Sequence, residues 1–138
     1  SGKFGYEKHL NDIRSMKISE VSKRRKELEL NVFIFNSLKI LFDEKTRNAF
    51  RTINDTLLNT RLEEIQFKTH DNTFVTLSTE EFSKLYEHCL LRIQKLFQIE
   101  NRKIQEINNL SIEELYSYNV LKDWDYEYED HEYSLNTQ

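Results

Sequence analysis

The sequence has no proline, and its two glycines, Gly2 and Gly5, both lie within the first five of its 138 residues. Beyond Gly5 nothing breaks a helix through a locked φ or a missing side chain, so long uninterrupted helices are expected. The same absence excludes a glycine-rich phosphate loop from the body of the chain. One cysteine, Cys89, rules out an intrachain disulfide and any site built on a Cys pair. It falls on the apolar face of a helical stretch, which marks it as a core thiol rather than a nucleophile. No two of the four histidines, His9, His70, His88 and His131, stand at metal-ligand spacing on one helix. No catalytic residue, metal or cofactor is therefore expected, and the chain reads as a protein that is not an enzyme. No apolar run approaches the roughly 20 residues that span a bilayer, and no signal-peptide pattern is present, so no membrane partner is expected.

What is present suits a soluble, helix-rich fold: 38% hydrophobic and 32% charged residues, with nine Phe, seven Tyr and one Trp to fill a core. The chain is organised around His70–Leu110. Asp71-Asn72 reads as a turn, and Phe74–Leu77 as a strand of aromatic and β-branched residues. Ser78-Thr79-Glu80-Glu81 fits a capping box, with its acids at the positive end of the helix dipole. Apolar residues at 82, 85, 86, 89, 90, 93, 96, 97, 104 and 107 then define one face of a helix over 79–108, roughly 45 Å long. Ile99 lies beside that face and broadens it.

Residues 1–30 read as another helix, with a sparse stripe of Leu10, Ile13, Val21 and Leu28. Sparse apolar residues among many charges predict a solvated or self-associating arm. Lys23-Arg24-Arg25-Lys26 is the one basic cluster, but flanking acids and a net charge of −4 favour a solvated helix face over a nucleic-acid site. Residues 31–42 are apolar on both sides of Asn36-Ser37 and read as two short strands joined by a turn, or as one strand and a helical lead-in. Asp43 is placed to cap a helix over 44–59, with Ala49, Phe50, Ile53, Leu57 and Leu58 as its apolar face and Arg47 reaching back to Phe42. Leu62–Lys68 alternates and should pair with Thr73–Leu77 as a hairpin. Alone such a hairpin is marginal in water, so it should lie against the helices. Ser111-Ile112-Glu113-Glu114 repeats the capping box and starts a short helix over 112–119.

The composition changes sharply at the end. Residues 123–138 hold six acids, no Lys or Arg, and four aromatics. Removing those six acids from the total of 24 leaves 18 against 20 basic residues, so the body carries about +2 and the tail −6. Such a tail is expected to be disordered alone. It reads either as a solubilising end or as a peptide that docks in a basic, apolar groove. In the second case Trp124, Tyr126, Tyr128, Glu129, Asp130 and Tyr133 are the candidate partner-binding residues.

From Glu20 to Val120 the chain resembles a small uncharacterised domain found in bacteriophage tail-fibre and tail-fibre-assembly proteins. The resemblance runs through Arg24-Arg25 with Glu29, Val32-Phe33, and Asp43 to Arg47. It continues through Phe67, Asp71-Asn72, Val75–Ser78 and Glu81, then Leu96-Phe97, Arg102–Ile104 and Glu113–Leu115. Phe67 stands where that family usually has Trp. The resemblance implies a non-enzymatic phage or prophage protein, a fibre component or a fibre assembly factor. Its partner would be a tail-fibre protein or a second copy in a homo-oligomer. It would be cytoplasmic during synthesis and then incorporated in a virion. The alternative is a small inhibitor or regulatory protein that docks through its acidic aromatic tail. The expected architecture is α+β and mainly helical. A helical arm over 1–18 leads into a domain over 19–121 with a small antiparallel hairpin packed on helices, and an acidic aromatic tail follows over 122–138.

Overall fold

The computed structural model describes residues 2–128 and 131–133. The order is α1 (Gly2–Glu29), β1 (Phe33–Phe35), β2 (Leu38–Ile40), α2 (Glu44–Asn59), β3 (Glu64–Lys68), β4 (Phe74–Ser78), α3 (Thr79–Asn108), α4 (Ile112–Ser117), β5 (Tyr126–Tyr128) and β6 (His131–Tyr133). The fold is α+β and mainly helical, and the strands among the described residues form antiparallel two-stranded pairs.

The local signals act as their chemistry dictates. Asp43 accepts from the Thr46 amide at 3.0 Å and caps α2, while Arg47 Nε donates to the Phe42 carbonyl at 3.1 Å. Ser78 and Glu81 exchange bonds of 3.1 and 2.9 Å in a complete capping box. Ser111 and Glu114 repeat it at 3.3 and 3.0 Å. Each box satisfies two of the donors that every helix start leaves without an intrahelical partner. Residues 31–42 resolve to a hairpin rather than a helical lead-in. Asn36 and Ser37 both take positive φ, 47° and 69°, the turn whose twist matches two paired strands. Asn72, at φ 65°, turns the β3–β4 hairpin, whose register runs from Glu64 opposite Ser78 to Lys68 opposite Phe74.

Two apolar clusters form the core, and α3 runs through both. In the first, Ile13, Val21 and Leu28 of α1 pack on Leu96, Ile99 and Ile107 of α3, closed off by Ile112 and Leu115 of α4 and by Trp124. In the second, Phe50 of α2 meets Phe82, Leu85 and Cys89 of α3 beneath β1–β2 and β3–β4. Phe50 sits edge-on to Phe67, Phe82 and Tyr86, with ring centroids 5.2, 5.3 and 6.2 Å away, a geometry the ring quadrupole favours. Ile93 is half-buried and touches both clusters.

Two expectations are corrected here. The sparse stripe of α1 is neither solvated nor left for a second chain: Val21 and Leu28 are fully buried against α3. Long polar side chains make this possible. Arg14 donates to the Leu110 carbonyl at 3.0 Å and Lys17 to that of Tyr118 at 3.1 Å, so their stems cover the seam while their charged ends find acceptors. α1 runs antiparallel to α3, with Arg14 beside Leu110, Arg25 beside Glu100 and Leu28 beside Arg92. The helix runs unbroken across residues 18 and 19, and Ile13, within the expected arm, lies in the core. The tail is also less independent than its composition implies. Trp124 is buried, and the backbone of β5 pairs with β6, Tyr126 opposite Tyr133 and Tyr128 opposite His131.

Candidate functional site

A surface concavity with a largely apolar lining lies where α2 crosses α3. It encloses about 350 Å³, with Phe42, Tyr86, Ile93 and Phe97 among its walls and Arg47 and Arg51 on its rim. The helical repeat explains why it exists. On α3, positions 85, 89, 92, 96, 99, 103 and 107 form one seam, and 86, 90, 93 and 97 form a second beside it. The first seam is consumed by the core. The second is only partly covered, leaving Leu90 48% and Phe97 45% exposed. Both residues were expected on a single buried face, and they instead mark its open margin. Ala49 and Leu58, expected on the apolar face of α2, are likewise exposed.

The cationic rim has an ordered base. Arg25 of α1 reaches Glu100 of α3 at 2.9 Å and Glu29 of its own helix at 3.0 Å, and its guanidinium lies 4.4 Å from the centre of the Phe97 ring. Glu29 also meets Arg47 of α2 at 3.7 Å. This chain of charges ties three helices together at one end of the groove. It also changes the reading of residues 23–26: Arg25 is largely covered and paired within the fold, not part of a solvated face. Arg51, one turn beyond Arg47, is exposed and makes no ion pair among the described residues. The site therefore offers an apolar floor, one braced guanidinium and one open guanidinium. That combination suits an apolar or aromatic anchor with a carboxylate beside it.

The candidate tail residues are placed differently. Trp124 is buried, with its indole Nε1 donating to the Val120 carbonyl at 2.7 Å. Its ring faces the Lys103 ammonium at 5.4 Å, and the Tyr118 ring faces the same ammonium at 5.9 Å. Lys103 donates to the Lys122 carbonyl. Trp124 is therefore a fixed part of the first core cluster, and the expectation that it forms a docking surface is corrected. Its burial has a physical reason: a large ring with one donor can leave water once that donor has an acceptor. Tyr126, Tyr128 and Tyr133 lie on β5 and β6. Glu129 and Asp130 lie outside the described residues.

Buried polar groups show shifted protonation. Desolvation lowers the Lys103 ammonium from its ordinary value, against the raising effect of Asp123 and Glu106. Desolvation and then its bond to Glu106, 2.8 Å long, raise the Tyr118 phenol. His88 is buried beside the Phe35 ring, centroids 4.6 Å apart, and burial followed by the nearby Arg92 charge pulls its pKa down to about 4. Arg92 is itself buried, 4.6 Å from the centre of the Phe33 ring, and donates to the Leu28 carbonyl at 2.7 Å. These groups brace the fold. Among the described residues no cluster of three or more His, Cys, Asp or Glu could hold a metal ion, and no helix is long and apolar enough to cross a membrane.

Residues 12–126, well over half of the chain, match the family described as "Domain of unknown function (DUF4376)". No curated protein and no solved structure matches the chain.

Proposed function

The chain belongs to the DUF4376 family, and from that premise we propose that it is a non-enzymatic protein-interaction domain acting through the α2–α3 groove. The observation that carries this reading is the pairing of exposed Leu90 and Phe97 with the Arg47 and Arg51 rim. Large exposed apolar side chains bordered by arginine are what a hot spot for a peptide or loop looks like. The resemblance over Glu20–Val120 supports a narrower form, in which the bound protein is a bacteriophage tail fibre and this chain is a fibre component or assembly factor.

Panning a random peptide library against the full chain tests the reading. Enrichment of peptides with an aromatic or aliphatic anchor beside Asp or Glu is expected, with binding lost in Leu90→Ser and Phe97→Ser variants that keep their helical circular dichroism. Failure to enrich such peptides, or binding indifferent to both substitutions, overturns it. For the narrower form, cross-links between α3 and a purified tail-fibre protein are expected, and their absence sinks that form alone.

The charge asymmetry favours a second reading, a regulatory or inhibitory binder that presents the acidic segment to a basic site on another protein. Deleting 126–138, which leaves Trp124 in place, separates the two. A groove binder keeps its enriched peptides, and a tail-presenting regulator loses its target.

A further inference from the structure

We propose that the α2–α3 groove takes the acidic aromatic segment 125–133 of a second copy of this chain, so that the protein associates head to tail. The inference rests on the groove reading above and names its occupant.

Charge complementarity is the first argument. Residues 123–138 carry −6 and the rest of the chain about +2, and the open guanidinium of Arg51 lies on the groove rim. The segment Asp-Tyr-Glu-Tyr-Glu-Asp-His-Glu-Tyr supplies the two things the groove lacks, aromatic anchors and adjacent carboxylates. Tyr126, Glu127 and Tyr128 place an acid directly between two aromatics.

Reach is the second argument, and it sets the contact between copies rather than within one. The segment leaves the fold at Trp124, which is pinned on Lys103. Ile93, at the middle of the groove, lies ten residues back along α3 from Lys103, roughly 15 Å away and about 80° round the helix. β5 ends at Tyr128, four residues beyond Trp124, and pairs antiparallel with β6, a reach of roughly 13 Å. The β5 backbone therefore ends short of the middle of its own groove, and further short of Leu90, 13 residues back from Lys103, whereas a neighbour's groove carries no such limit. Because groove and segment are different patches, the contact is heterologous. It yields a ring if the rotation closes and a filament if it does not.

Sedimentation velocity on the full chain over a wide concentration range tests this, using Arg51→Glu, Glu127→Lys and their equimolar mixture. Concentration-dependent association is expected, weakened about tenfold or more by either charge reversal alone and by high salt. The mixture should recover it, because each altered patch then meets a complementary one. A chain that stays monomeric throughout, or reversals that do not rescue each other, overturns the inference. A peptide of residues 125–138, titrated while following the Leu90 and Phe97 amide resonances, separates this failure from that of the groove reading. Shifted resonances in a monomeric chain leave the groove intact as a site and refute the second copy as its occupant. Unshifted resonances in a monomeric chain remove the second-copy occupant and count against the groove as well.

Discussion

Acidification should destabilise this protein through His88, well above the pH at which its carboxylates protonate. His88 is 1% exposed, stacked on Phe35 and close to the Arg92 charge, and its pKa is pulled down to about 4 from an ordinary 6.5. The unfolded chain therefore binds a proton at this site below pH 6.5 while the folded chain still resists it, so folding stability falls as pH falls. The contribution is fully present above the unfolded value and disappears as pH drops through the folded one. At 1.36 kcal/mol per unit the loss is about 2 kcal/mol by pH 5 and about 3 kcal/mol by pH 4. Urea unfolding midpoints between pH 7.5 and 4, compared for the native chain and His88→Leu, isolate the effect. Carboxylates held low by their caps, such as Glu81 and Glu114, titrate equally in both proteins. The native chain should lose stability more steeply than the variant between pH 6.5 and 4. Parallel curves would mean that His88 is not held neutral by burial, and the argument fails.

Other substitutions probe separate parts of the fold. Burial raises the Cys89 thiol to about 12, so it should resist a maleimide at pH 8 until denaturant is added, and labelling of the native chain would contradict its place in the core. Trp124→Ala should cost roughly 3–5 kcal/mol in urea unfolding, whereas a solvent-exposed docking residue would cost almost nothing. Ser37→Gly should stabilise by about 1 kcal/mol, since Ser37 takes φ 69° where glycine carries no Cβ penalty. A destabilised variant would show that the Ser37 side chain contributes more than its strain costs.

Much of this architecture is local chemistry and therefore legible in the chain. The capping boxes at Ser78 and Ser111 and the cap at Asp43 depend on residues three positions apart, and no tertiary contact is needed to recognise them. The turns at Asn36-Ser37 and Asn72 and the alternation in β3 are equally short-range. The 3.6-residue period of α3 announces a helix from Thr79 to Asn108, and the absence of Pro and of Gly beyond residue 5 keeps it whole. Periodicity says which residues share a face, but not which face finds a partner. The α1 stripe looks too thin to bury until α3 lies against it and Arg14 and Lys17 carry their charges to the carbonyls of Leu110 and Tyr118. The two seams of α3 are visible as spacings, yet only the crossing with α2 leaves Leu90 and Phe97 at an open margin. Trp124 reads as part of an acidic tail because its neighbours in the chain are acids. Its neighbours in space, Lys103 and the Val120 carbonyl, put it in the core. The sequence alone determined the elements, their caps and their turns, because these rest on contacts a few residues apart. Tertiary structure decided which apolar surface stays open and which charges are buried, because those depend on residues tens of positions apart meeting in space.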